Sequence, residues 1–389
     1  MPTRPPDDGD DFFDQMRPSS VKKADILVRF FKGWAGVLHK HVVFLLYIDL
    51  FAGPGSYKRD QNGAPATPEN PLHSTPVRII KAAAADPNFS KALVAIFNDK
   101  NAEHIRRLKE AVEALPERAK LQQAPQYFSE IVGDDIAREL ARSSPKPPAM
   151  FFIDPYGYVG LTRDLILSVL KEWGSDCVFF FNYNRINHAL GQKKFDKHLN
   201  ALFGKDRVAR MHAEIDGFDD PVEREDYVLR NLAEALREIG GDYFLPFRFR
   251  ANNGRTRQHV IFTSKSSRGY HVMKNAMAKE SSTTQDEIPT YEFVEPGEPS
   301  LLEEVLPPRV FTWTIDKLCD NLKKRYSKLE RRFIDIVEED GVGRPYIEAN
   351  YRIAILRLRE SGAVELRKPD GSAPRAKTCP RETLVKFKI

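Results

Sequence analysis

At 389 residues, with 41% apolar and 30% charged side chains, the chain is too long for one ordinary core and has the composition of a globular protein of two or three domains. The longest apolar run near its first strand, Val42 to Ile48, is far short of a membrane span, and three scattered cysteines (Cys177, Cys319, Cys379) fit a reducing cytoplasm and argue against a disulfide framework, a zinc site or an iron–sulfur cluster. The net charge of +5 is uneven: from Leu301 onward 19 Lys and Arg stand against 14 Asp and Glu, whereas the first 300 residues hold 41 of each, so the surplus that favours a polyanionic partner lies in the last quarter.

Met1 to Asp14 is rich in Pro and Asp and shows no apolar signal core, so residues 1–19 are expected to be a disordered tail. Val21 to Leu38 carries Ile26, Leu27, Phe30, Phe31, Trp34 and Leu38 at helical spacing. Val42 to Ile48 is continuously apolar, as a strand buried on both faces should be. Helix and strand patterns then alternate: helix at 76–85, strand at 93–97, helices at 102–114 and 134–142, strand at 150–153, helix at 163–173 and strand at 177–181. That alternation implies βαβ units and a parallel sheet. Tyr243 to Phe249 and His259 to Thr263 are joined by Ala251-Asn252-Asn253-Gly254, a turn too short for anything but an antiparallel hairpin. The expected class is therefore α/β, a Rossmann-like class I methyltransferase sheet of parallel strands plus an antiparallel terminal hairpin, over residues 20–280. Residues 281–308 lack periodicity and read as a linker. Helices at 314–326, 328–338 and 347–360, followed by a hairpin of Ala363–Leu366 and Thr383–Phe387, give residues 309–389 the order of a winged helix-turn-helix domain.

The first chemical signal is the loop Asp49-Leu50-Phe51-Ala52-Gly53-Pro54-Gly55. It follows a buried strand, where ligands of open α/β sheets bind, and Gly53 and Gly55 let backbone approach a ligand closely. Position 58 is Lys, so the full dinucleotide fingerprint is absent and a phosphate cradle is disfavoured. Asp49, Phe51, Gly53 and Gly55 instead resemble the S-adenosylmethionine (SAM) loop of nucleic-acid methyltransferases, against the alternative of glycines needed only for packing. Asp99, ending the next strand, is either a ribose-binding acid or a helix cap. Asp154, Pro155 and Tyr156 follow the fourth strand. A carboxylate and a neighbouring carbonyl there can accept the two N–H bonds of an exocyclic amine while the ring stacks on the base, which places the reaction in orientation rather than in acid–base chemistry. Asn182 and Asn184 are weaker candidates for the same pocket, and His259 reads as a structural histidine. In the last domain Arg352, Arg357 and Arg359 fall on the expected recognition helix, and Arg367 and Lys368 on the wing, where they can meet nucleic acid.

Together these residues resemble the three-Cys-motif partner proteins, through the opening helix, Tyr47 to Gly55, Asp99, Asp154 to Gly157 and the C-terminal region from about Arg309. The resemblance implies a methyltransferase-like fold and a partner, a radical-SAM three-cysteine protein whose iron–sulfur cluster is not matched by cysteines here. Three functions follow as expectations: a SAM-dependent methyltransferase acting on a nucleic-acid base; a non-catalytic subunit that presents nucleic acid to that partner in modification or repair; and a DNA-binding regulator that senses SAM. No membrane, metal or signal is expected, and a cytoplasmic location is.

Overall fold

The computed structural model describes residues 15–67, 69–133, 147–155, 160–297 and 311–388. Helix α1 (Pro18–Leu38) opens the fold, with Pro18 in its first turn, where a missing N–H costs nothing. Its buried stripe is Ile26, Leu27, Phe30, Phe31, Trp34 and Leu38. The helix thus begins inside the stretch expected to be a tail; residues 1–14 of that stretch lie outside the described residues, as does the helix expected at 134–142.

Five strands are mutually parallel neighbours: β1 (Leu45–Asp49), β2 (Leu93–Asn98), β3 (Gln126–Phe128), β4 (Ala149–Ile153) and β5 (Asp176–Phe181). The hairpin of β6 (Tyr243–Arg250) and β7 (Thr256–Ser264) completes the sheet, with β7 antiparallel between β5 and β6. The order β3-β2-β1-β4-β5-β7-β6 is Rossmann-like, with the parallel strands and terminal antiparallel hairpin expected from the sequence; β3, three residues long, is an addition to them. Each central strand is apolar throughout because both of its faces are covered. In β4, Met150 and Phe152 enter one core, and Phe151 and Ile153 enter the other. The first core holds α1, α2 (Thr75–Ala84), α3 (Pro87–Ala92) and α4 (Ala102–Glu113). The second holds α5 (Arg163–Leu170), α6 (Tyr183–Leu190), α7 (Asp196–Phe203), α8 (Lys205–Glu214) and α9 (Pro221–Arg237). Helix α10 (Ser267–Glu280) returns to the first side and packs on α1.

Four expectations need correction. The first strand starts at Leu45 rather than Val42, because its partners begin only at Leu93 and Ala149; Val43 is 76% exposed. Helix α5 stops at Leu170, three residues short of Trp173. Residues 281–297 are not plain linker: β8 (Thr284–Gln285) and β9 (Ile288–Pro289) form a small hairpin, and β10 (Glu292–Val294) joins the main sheet parallel to β6. Strands of two or three residues are too short to leave a periodic signal. Lastly, the helix expected at 328–338 is a strand followed by a helix. Glu330 to Arg332 form β11 because they pair with a strand more than fifty residues later, a bond invisible in local pattern.

The C-terminal region has its own apolar core. Its elements are α11 (Ile315–Arg325), β11, α12 (Phe333–Asp340), α13 (Glu348–Glu360), β12 (Val364–Arg367) and β13 (Leu384–Phe387), with the strands in the order β11-β13-β12. This lobe docks on α10 through polar contacts. Lys274 Nζ donates to Gly341 O at 2.5 Å, Gly343 N donates to Tyr270 Oη at 3.1 Å, and His271 Nε2 lies 3.3 Å from Glu338 O.

Candidate cofactor and substrate site

Parallel pairing brings three acids to one edge of the sheet. Asp49 is level with Phe97 on β2 and with Phe152 on β4, so Asp99 and Asp154, each two residues further on, emerge beside it. Sequence spacing alone could not show this, because 50 and 55 residues separate the acids; the shared register does.

The glycine loop is shaped from beneath. Asp49 is 1% exposed, and both of its oxygens are engaged: Phe51 N donates to Oδ1 at 3.1 Å and Tyr47 Oη donates to Oδ2 at 3.3 Å. Burial pushes its pKa up to about 8, with the Phe51 N–H opposing and the Asp154 charge adding to the rise. The side chain of Phe51 packs against the second core. Gly53 and Gly55 have φ of 63° and 83°, the left-handed region that glycine enters without strain. At Gly55 a Cβ would come within 2.8 Å of the Leu108 side chain, so the loop also needs glycine for its close approach to α4.

Asp99 belongs to that loop. Gly53 N donates to its Oδ2 at 3.0 Å and Asn101 N to its Oδ1 at 2.9 Å, while His104 Nδ1 lies 3.4 Å from Oδ1. Burial alone would raise its pKa, but the bonds from His104, Asn101 and Gly53 hold it below the usual carboxylate range. The actual cap of α4 is Asn101, whose side chain accepts from Glu103 N. A carboxylate offers about four acceptor positions, so Asp99 retains capacity for hydroxyl donors. Asn98, which sequence reasoning passed over, ties the strand ends together. Its amide donates to Leu50 O and Glu130 O and accepts from Glu130 N.

Asp154 is partly buried and Pro155 fully so; Tyr156 and Gly157 lie outside the described residues. The Asp154 carboxylate forms an ion pair with Lys23, which reaches it from the first turns of α1. Lys23 lies 4.9 Å from the Phe180 ring centroid and 5.9 Å from that of Phe152. Burial works against its charge, yet Asp154, Tyr57 and Asp49 together outweigh that and its pKa is raised. The sequence hides this lysine because the apolar stripe dominates the pattern of α1.

The weaker candidates are placed as follows. Asn182 caps α6 by accepting from Arg185 N, and Asn184 is exposed. His259 is fully buried with Nε2 2.9 Å from Glu225 Oε1, a structural role. Most of the candidate nucleic-acid contacts have partners within the lobe. Arg352 pairs with Glu348 at 2.6 Å and lies over Phe333, and Arg357 pairs with Asp316 at 3.0 Å. Arg359 donates to the carbonyls of Pro374, Arg375 and Ala376, which makes it a brace for the loop between β12 and β13. Arg367 pairs with Glu365 at 2.9 Å, and Lys368 begins the turn closed by Gly371 N donating to its carbonyl. Among the described residues no group of His, Cys, Asp and Glu has the arrangement of a metal site, and no helix is long and apolar enough to cross a membrane.

No family model matches the sequence, and no curated protein matches it. Solved structures do resemble it. A Legionella pneumophila protein is 12% identical over 64% of this chain and 85% of its own, with a TM-score of 0.37. The DszA carbon methyltransferase is 13% identical over 64% of this chain and 55% of its own, TM-score 0.36. A putative SAM-dependent methyltransferase from Methanococcus maripaludis is 10% identical over 63% and 89%, TM-score 0.29. The Rossmann-like fold is given by the strand order of the sheet itself.

Proposed function

We infer that the chain is a SAM-dependent methyltransferase acting on a nucleic-acid base, at an exocyclic amine. The observation that carries this reading is the alignment of Asp49, Asp99 and Asp154 on one edge of the sheet, around a glycine loop whose backbone is held open. SAM, when bound, supplies an electrophilic methyl group. The protein's part is to bind and orient: Asp99 for the ribose hydroxyls, Gly53 and Gly55 for close backbone approach, and Asp49 for the shape of the turn. Asp154 and the Pro155 region would accept the N–H bonds of the target amine, with Tyr156 stacking on a flipped or unpaired base. Read as a winged helix-turn-helix, the C-terminal lobe with Arg352, Arg357, Arg359, Arg367 and Lys368 would hold the phosphates. Its separate core and its element order support that reading.

The decisive experiment incubates the protein with methyl-labelled SAM and mixed single-stranded DNA or RNA, then digests to nucleosides. Asp154→Ala should reduce methyl transfer by about 100-fold or more without weakening SAM binding. Undiminished transfer by that variant would remove Asp154 from the reaction. A second reading is favoured by one observation, the ion pair that Lys23 makes with Asp154. A carboxylate held by a lysine suits a non-catalytic subunit that presents nucleic acid to a radical-SAM three-cysteine partner, and a wild type that transfers no methyl even beside that partner would select it.

A further inference from the structure

The methionyl end of SAM brings a carboxylate, an ammonium and a sulfonium to the pocket. The strand end already places the Asp154 carboxylate there, beside the buried carboxyl of Asp49, so a further carboxylate needs a cation beside it. Lys23 is that cation: its side chain is 12% exposed, it is bonded to Asp154, and Asp49 and Tyr57 lie within its field. A buried ammonium must keep an anionic partner, and a lysine, with four rotatable carbons, can change partners without moving its helix. The amine reading also sets a conflict. Asp154 must turn an oxygen toward the substrate's N–H bond, yet Lys23 holds its Oδ2 and so fixes where the carboxylate faces.

We propose that Lys23 is the ligand for the cofactor's carboxylate, and that it passes from Asp154 to that carboxylate as SAM binds, releasing Asp154 for the substrate amine. This rests on the reading of the site as a SAM site. It makes binding ordered, cofactor before nucleic acid, because only the loaded pocket presents a free Asp154. The ammonium keeps an anionic partner throughout, and the N–H donors of the substrate amine take its place at Asp154.

Calorimetric titration separates the terms. S-adenosylhomocysteine carries the carboxylate; methylthioadenosine shares the adenosine and thioether but lacks it. Lys23→Met should weaken S-adenosylhomocysteine by about 10- to 100-fold, the worth of one charge-assisted hydrogen bond, and methylthioadenosine by less than about threefold. Lys23→Arg should recover most of the loss. Because Lys23→Met strands the Asp154 charge, the double variant Lys23→Met/Asp154→Asn serves as a folded control and should show the same selective loss. Equal losses for both ligands, or none for S-adenosylhomocysteine, would overturn the Lys23 assignment and leave the site standing. Failure of the wild type to bind S-adenosylhomocysteine would overturn the site itself, and this inference with it.

Discussion

Asp49 carries its proton at neutral pH, since burial lifts its pKa to about 8. Its two bonds, from Tyr47 Oη and Phe51 N, favour the charged form, but burial outweighs them. The linkage has a definite sign. A carboxyl whose pKa is raised by folding favours the folded state fully below pH 4, and that contribution is lost as pH rises through 8. An amide of the same shape cannot ionise. Asp49→Asn should therefore gain on the wild type as pH rises, by about 2 kcal/mol or more between pH 5 and pH 9, in denaturant unfolding followed by circular dichroism. A constant difference between the two proteins across that range would mean that Asp49 is ionised within the fold. That Asp49 ends a buried strand is legible in the sequence; that it is a protonated staple is not, because protonation depends on neighbours brought in by the fold.

The loop from Asp49 to Gly55 can be tested as an element by comparing two glycines with the same backbone strain. Gly55 and Gly63 have φ of 83° and 84°, but a Cβ at Gly55 meets Leu108 at 2.8 Å whereas one at Gly63 meets nothing within 4 Å. Gly63→Ala should cost about 1 kcal/mol for conformation alone, and Gly55→Ala at least about 1 kcal/mol more, since α4 must move aside. Equal losses in thermal melts would show that α4 yields freely at that point. The contrast also explains what the sequence revealed of the fold. Central strands such as Met150 to Ile153 were legible because burial on both faces leaves an unbroken apolar run. β10 and β11 were not, since three residues acquire strand geometry only through remote partners, Arg248 to Arg250 and Leu384 to Lys386. Lys23 was hidden for a related reason: on a helix with a strong apolar face, one of several cations, beside Lys22, reads as solvent-facing until the fold lays Asp154 against it.

Across the whole molecule, the two lobes are joined by a polar seam. Lys274 is 1% exposed and donates to the carbonyl that closes α12; burial pushes its pKa down to about 7, with Asp340 opposing. Between pH 7 and its ordinary value the unfolded chain binds the extra proton, so this group adds stability as pH rises. Asn350 donates to Glu287 O and Ile315 N donates to Asp286 Oδ2, so the β8–β9 hairpin is stitched to the C-terminal lobe as well. The wild type should then melt in one calorimetric transition that moves upward from pH 7 to pH 9 relative to Lys274→Ala, and the variant should resolve two. Two separate transitions in the wild type would show the seam to be weak. β10 has a role of another kind. The outer rim of β6, with Phe247 and Phe249 behind it, would otherwise present unpaired amides and carbonyls to any passing chain, and such rims polymerise. Glu292 to Val294 cover its last three residues, Arg248 to Arg250, so the stretch that leads to the second lobe is also part of the selvedge of the first. A chain cut before Glu292 loses more than its C-terminal lobe: it bares the Arg248–Arg250 rim and should self-associate more than one ending just beyond Val294, which keeps that rim paired.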